Sequence, residues 1–151
     1  MKTIFRKYKS EDRKRLEELI QLFSQEERGE KMPKRFINKT INEFAKSPLR
    51  GAIYVFVLEK KMIGYAISSN YWSISVGGNY AAIDELFVDV AWRRRGIATA
   101  FIKYLEKNAK KTFVAISLEV GLKNKKAKKL YQKLGFKQEG YQFMLKTLKN
   151  K

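Results

Sequence analysis

The spacing of apolar positions along the chain changes several times, and each change predicts an element. "TIFRKY" near the start alternates apolar and polar, the period of a short strand. From Ser10 the period lengthens. Leu16, Leu19, Ile20 and Phe23 fall at i, i+3, i+4 and i+7, which predicts a helix with Ser10 as its N-cap and Glu11 and Asp12 in the first turn. Gly29 ends it, and Pro33 suits the first turn of a second helix. Phe36, Ile37, Ile41 and Phe44 form one face of that helix as far as Ser47-Pro48. "AIYVFVLE" and "MIGYAISS" then read as two strands of a hairpin joined across Glu59-Lys60-Lys61. "SVGGNY" predicts a turn and "AAIDELFVDV" a further strand. Ile97, Ala100, Phe101, Tyr104 and Leu105 give the inner face of a third helix. "TFVAISLEV" is a strand, "NKKAKKLYQKL" a helix, and "FKQEGYQFMLKTL" two closing strands around Gly140. The order β-α-α-β-β-β-α-β-α-β-β predicts one mixed α/β (α+β) domain over residues 1–151, with a sheet of about six to seven strands flanked by about four helices.

Composition narrows what such a domain can do. A chain of 151 residues, 44% hydrophobic and with only two prolines, is expected to be globular. No apolar run reaches the roughly 20 residues of a membrane span, so no membrane partner is expected. "MKTIFRKYKSEDRK" lacks the apolar core of a signal peptide, and with no cysteine the chain suits the cytoplasm. The lack of histidine cuts deeper: it removes Ser-His-Asp chemistry, a histidine base and the usual zinc sites, and no metal is expected. Proton transfer must then use carboxylates, tyrosine, lysine or water. The net charge of +18 raises a nucleic-acid-binding module as a second reading. Yet the lysines are scattered over every segment, as on a solvated surface, and no helix-turn-helix, zinc-finger or RNP signature accompanies them.

Two stretches carry the candidate chemistry. "WRRRGIATAFI", residues 92–102, sets arginines and a glycine at the start of a helix, where free N–H groups and the positive end of the dipole attract an anion. "VGLKNKKAKKLYQKLGF" places Asn124 at a helix start, with Ala127, Leu130, Tyr131 and Leu134 on one face and Gly135 as a left-handed stop. Each stretch also has a purely structural use, as caps and core.

Together and in this order they resemble the GNAT superfamily of N-acetyltransferases. Arg93-Arg94-Arg95-Gly96-Ile97-Ala98 is similar to the family's Arg/Gln-x-x-Gly-x-Gly/Ala phosphate loop, although the commoner form has glycine in place of Arg94. Asn124 to Phe136 matches every fixed position of the family's Asn-x-x-Ala-x-x-Leu-Tyr-x-x-Leu-Gly-Phe segment.

The resemblance implies acetyl-CoA as acetyl donor and an amine-bearing acceptor that attacks the thioester directly. The pyrophosphate would lie on the amides of Arg94 to Ala98, with Arg93, Thr99, Asn124 and Tyr131 in the same binding set. The pantetheine would run beside Phe87 and Val88, where the family's strand splays from its neighbour, and an N–H near Val88 would polarise the carbonyl. Tyr131 takes the general-acid role. Asp84 and Glu85 are the candidate base or amine-holding groups, and strand alternation turns only one of them to the substrate. Tyr71 and Trp72 are candidate walls of the acceptor site, in a loop before the cofactor strand. Small amines, aminoglycoside-like compounds, polyamines and protein amines all stay open as acceptors, as do a homodimer and a catalytically silent acetyl-CoA-binding protein. The basic field favours capture of a polyanionic cofactor and opposes a cationic acceptor unless carboxylates line its route.

Overall fold

The computed structural model describes residues 2–140 and 142–148. The chain forms two compact units, Met1–Glu119 and Val120–Lys151. The first unit contains strands β1 (Ile4–Lys7), β2 (Gly51–Leu58), β3 (Lys61–Ser73), β4 (Gly78–Val88) and β5 (Ala115–Leu118). Its helices are α1 (Arg13–Arg28), α2 (Lys34–Lys46) and α3 (Ile97–Ala109). The strands lie in the order β1-β2-β3-β4-β5, antiparallel throughout except for the parallel β4–β5 pair. The second unit carries α4 (Lys125–Lys133).

Both faces of the sheet are covered. Leu16, Leu19, Ile20, Ile37 and Ile41 of α1 and α2 pack with Ile53, Val55, Tyr65, Ile67 and Phe87 in one buried cluster. On the opposite face Phe101 and Tyr104 of α3 meet Phe5, Tyr54 and Phe56 in a chain of ring contacts. Apolar residues therefore alternate sides along β2, as a doubly covered sheet requires. No described helix is long and apolar enough to cross a membrane.

Two expectations need correction. The sheet has five strands rather than six or seven: among the described residues, 136–140 and 142–148 carry no strand. Alternation in "FKQEGYQFMLKTL" records a preference for extended backbone, but a strand also needs a ladder partner. Ser10 is likewise no helix cap. It opens a 3-10 turn, Ser10–Asp12, and α1 begins only at Arg13.

Asp12 secures that start instead. Its carboxylate accepts both Arg6 guanidinium nitrogens, at 2.7 and 2.8 Å, and the Lys9 N–H at 2.8 Å. These bonds tie β1 to the head of α1 in a nearly buried position, Asp12 being 8% exposed. The Arg6 guanidinium holds the carboxyl below its ordinary value, against the upward push of burial. A depressed value means stabilisation that is full above about pH 3.9 and is lost as pH falls through the folded-state value. Asp12→Ala should cost about 1–3 kcal/mol in urea denaturation at neutral pH, because it leaves a part-buried guanidinium without its acceptor. The gap between the variant and the parent should close on acidification.

Candidate active site

Glycine and a bulge shape the strand on which the site is built. β4 pairs with β3 in the register Gly64↔Val88, Tyr65↔Phe87 and Ile67↔Glu85, and then shifts to Ser68↔Ile83. Asp84 is the extra residue of a β-bulge. Gly64 permits the close approach at the other end, since a Cβ there would lie 2.5 Å from the Phe87 carbonyl oxygen and 2.7 Å from the Phe56 ring.

The bulge overturns the expectation that Asp84 and Glu85 face opposite ways. Tyr65 and Ser69 stand on the same face of β3, the face covered by α1 and α2. The Tyr65 hydroxyl donates to Glu85 Oε2 at 2.7 Å, and the Ser69 hydroxyl donates to Asp84 Oδ2. Both carboxylates are thus carried to one side. Desolvation raises the Glu85 carboxyl above its usual range, and the neighbouring Asp84 adds to that, while the Tyr65 hydroxyl and Arg28 oppose it. Asp84 is raised by desolvation and eased back by Ser69. Burial also pushes the Tyr65 phenol up, so it remains a donor.

Among the described residues, no strand pairs with the outer edge of β4 beyond the bulge. β5 pairs only with Tyr80 to Ile83, and its ladder ends at Ile83↔Leu118. The Asp89 N–H donates to the Ile63 carbonyl at 2.9 Å. Alternation along an antiparallel strand then turns the Phe87 backbone toward β3 and the Leu86 and Val88 backbones away from it. Arg93 bears this out, because its Nε donates to the Val88 carbonyl at 2.8 Å from that outer side. The Val88 N–H therefore points into the gap. Phe87 offers neither part of itself: its backbone faces β3, and its ring lies in the core against Phe23 and Tyr65. Leu86 takes its place as the second outward backbone position, a residue that apolar patterning alone does not single out.

The basic loop follows directly. Asp89 accepts the Ala91 N–H and the Arg15 guanidinium, the latter at 2.7 Å, which fixes the turn Val90–Trp92 against α1. Arg93 is a clamp: besides Val88 it forms two bonds with Glu26 of α1, at 2.8 and 2.6 Å, and lies over the Phe87 ring. Arg95 lies over Trp92 at 4.8 Å. Arg94 has no side-chain hydrogen bond or ion pair among the described residues. Its backbone is left-handed (φ 61°), as is Gly96 (φ 73°), the residue that caps α3. No backbone hydrogen bond among the described residues occupies the N–H groups of Arg94, Arg95 or Gly96. The first-turn amides of Ile97, Ala98 and Thr99 add to them, so the loop gathers free donors at a helix N-terminus. The Ile97 side chain is buried and anchors that turn.

A cleft of about 620 Å³ opens between α2 and β3, lined by Lys39, Glu43, Lys46, Arg50, Ser69 and Tyr71 among others. Ser69 joins it to Asp84. Tyr71 lies in strand β3, not in a loop, stacked on Tyr80 with centroids 5.6 Å apart. Trp72 is opposite Asn79, 72% exposed, and does not line the cleft. The loop expected there shrinks to a turn because β3 and β4 pair as far as Ser73↔Gly78.

In the second unit the Asn124 side chain accepts the Ala127 N–H at 3.1 Å and caps α4. The other end is a Schellman motif: Phe136 N–H to the Tyr131 carbonyl and Gly135 N–H to the Gln132 carbonyl, both 3.0 Å, with Gly135 at φ 91°. The Tyr131 and Phe136 rings meet edge-on at 5.9 Å, the apolar contact that accompanies this cap. The spacing Leu-Tyr-x-x-Leu-Gly-Phe is thus a helix stop that also fixes the Tyr131 backbone. Among the described residues no group of three or more acidic side chains could hold a metal.

The left-handed turn at Arg94 is testable by itself. A side chain in this conformation costs roughly 1–2 kcal/mol, part of which glycine returns as unfolded-state entropy. Arg94→Gly should therefore be as stable as the parent or up to about 1 kcal/mol more so, whereas Arg95→Gly should be less stable. The urea midpoint should fall for Arg95→Gly and hold or rise for Arg94→Gly.

Comparison with known proteins agrees with this fold. An uncharacterized N-acetyltransferase of Methanocaldococcus jannaschii is 34% identical over 88 residues, which make up 57% of this chain and 39% of that protein. The match thus spans well under half of that relative's length. A possible acetyltransferase from Clostridium difficile 630 shares the fold with a TM-score of 0.86 at 20% identity, over 98% of this chain and 99% of the other. An aminoglycoside acetyltransferase from an uncultured soil metagenomic sample, in complex with sisomicin, does so with a TM-score of 0.76 at 21% identity, over 97% of each chain. The acetyltransferase (GNAT) family model matches residues 13–136 across the strand, loop and helix just described, and the chain belongs to that family.

Proposed function

We propose that the protein is an acetyl-CoA-dependent N-acetyltransferase acting on a primary amine. One observation carries this reading: the outer edge of β4, with the Val88 N–H aimed into its gap, leads through the bonded turn Val90–Trp92 to a loop whose amides from Arg94 to Gly96 have no backbone partner among the described residues. A polyanion with a long amide-bearing arm fits that pair of features. The family match spans both compact units, which supports treating residues 1–151 as one catalytic domain.

When bound, acetyl-CoA supplies the acetyl group as an activated thioester. The amides of Arg94 to Gly96 and the first turn of α3 bind its phosphates, and the Arg94 guanidinium adds charge. Arg93 acts differently from the other two arginines, since it positions Val88 through the carbonyl and holds α1 through Glu26. The Val88 N–H stabilises the negative charge that grows on the carbonyl oxygen. Glu85, directly or through a water, takes the proton from the attacking amine, and its raised carboxyl brings it nearer to neutral pH as a base. Asp84, at the exposed side of the bulge, holds the incoming amine. Tyr131 is carried over from the family motif as the donor of a proton to the departing sulfur.

Calorimetry with acetyl-CoA tests the carrying observation. Gly96→Asp puts a negative side chain among the loop amides, and binding should weaken at least tenfold, about 1.4 kcal/mol. Unchanged affinity in the folded variant would move the donor site elsewhere. A pH series tests the base. Since the Tyr65 hydroxyl lowers the Glu85 carboxyl, Tyr65→Phe should raise it further and shift the acidic limb of kcat to higher pH. Glu85→Gln should lose the limb altogether. A limb that stays in place in both variants assigns proton removal to another group.

A further inference from the structure

The lining of the α2/β3 cleft says more about the acceptor than the reacting amine does. Lys39, Glu43 and Lys46 recur at i, i+4 and i+7 on one side of α2, and Arg50 joins them from the turn that follows. The Arg50 guanidinium is paired with Glu43 at 2.9 Å. That pair neutralises itself. Lys39 and Lys46 have no carboxylate within ion-pair distance among the described residues. Two lysines thus line a concave surface with no ion-pair partner of their own among the described residues. Across the cleft from α2 the lining is the polar edge of β3, where Ser69 donates to Asp84, so the carboxylate stands one hydrogen bond beyond the wall.

We infer that the acceptor is zwitterionic, an amine carried on the same molecule as a carboxylate or phosphate. Its anionic group lies between Lys39 and Lys46, and its amine reaches Asp84 and Glu85. This inference rests on the N-acetyltransferase reading and names its acceptor class. A polycation such as a polyamine meets the wrong sign at the entrance, in a protein whose net charge is already +18. An anion relieves the repulsion between the two lysines and gains charge-assisted hydrogen bonds from both. Sequence alone hides this feature, because Lys39 and Lys46 look like any other members of a lysine-rich surface.

Acceptor pairs that differ only in the anion test the inference. Phosphoethanolamine against ethanolamine and β-alanine against β-alaninamide, with spermidine as the polycation, are assayed by thiol release at saturating acetyl-CoA. The anionic member of at least one pair should show kcat/KM at least tenfold above its partner, with an advantage that shrinks as salt is raised. Which pair responds tells phosphate from carboxylate. The double variant Lys39→Gln, Lys46→Gln, altered only at exposed positions, should bring the ratio within that pair close to one. Equal rates within both pairs, preference for spermidine, or a ratio untouched in the double variant overturns the inference while leaving the N-acetyltransferase reading in place. If no amine releases thiol, that reading fails, and amide NMR shifts during phosphoethanolamine titration decide the anion site separately. Shifts centred on Lys39 and Lys46 uphold it, and unshifted α2 amides overturn it.

Discussion

A strand that loses its neighbour halfway along a sheet must direct its freed backbone groups somewhere. Among the described residues β4 has partners on both sides from Tyr80 to Ile83, none at the bulged Asp84, and on one side only from Glu85 to Val88. Everything proposed for the site depends on that change. The Arg93 side chain occupies the freed Val88 carbonyl and leaves the adjacent N–H directed into the gap. Gly64 lets β3 approach closely enough to keep the remaining ladder tight at that point. The bonded turn Val90–Trp92 follows, and beyond it the N–H groups of Arg94, Arg95 and Gly96 have no backbone partner among the described residues, so the edge and the start of α3 offer two sets of donors on one short stretch of chain.

Electrostatics in this molecule is a contest between long-range and local effects. A surface with 33 basic against 15 acidic side chains should favour ionised carboxylates everywhere. At Glu85 desolvation prevails, because the sheet and its covering helices shield it while the lysines stand in solvent, where they are screened, and at the more exposed Asp84 it is still the larger influence. Arg28 is the one cation that registers at Glu85, and it ranks behind burial and the Tyr65 hydroxyl. Keeping two raised carboxylates on one face costs folding stability.

How much of this was legible in the sequence depends on the range of the interaction concerned. Periodicity and caps are local, so the four helices, the Asn124 cap and the left-handed Gly135 stop stand where the residues predict them, apart from the start of α1, which moves from Ser10 to Arg13. Arg93 was legible as part of an anion loop, but not as a clamp, since its partner Glu26 lies 67 residues away. Tyr65 and Ser69 carried no signal in an apolar strand, and only the pairing with β4 shows their use. The bulge was equally hidden: strict alternation put Asp84 and Glu85 on opposite faces, and a single unpaired residue reversed that. The two closing strands failed for a related reason, because the pattern of 136–148 speaks of propensity and says nothing about a ladder partner.

The bulge also makes strand length a heritable property of the site. Substitutions at Asp84 change a charge, but deleting one residue there would restore plain alternation and bring a different side chain to face Ser69. An insertion would do comparable damage in the other direction. Point variation and length variation therefore reach this site by separate routes. If α2 selects the acceptor as inferred above, exchanges along it would retune that choice, whereas the count of residues between Ile83 and Val88 admits no drift without misplacing both carboxylates at once.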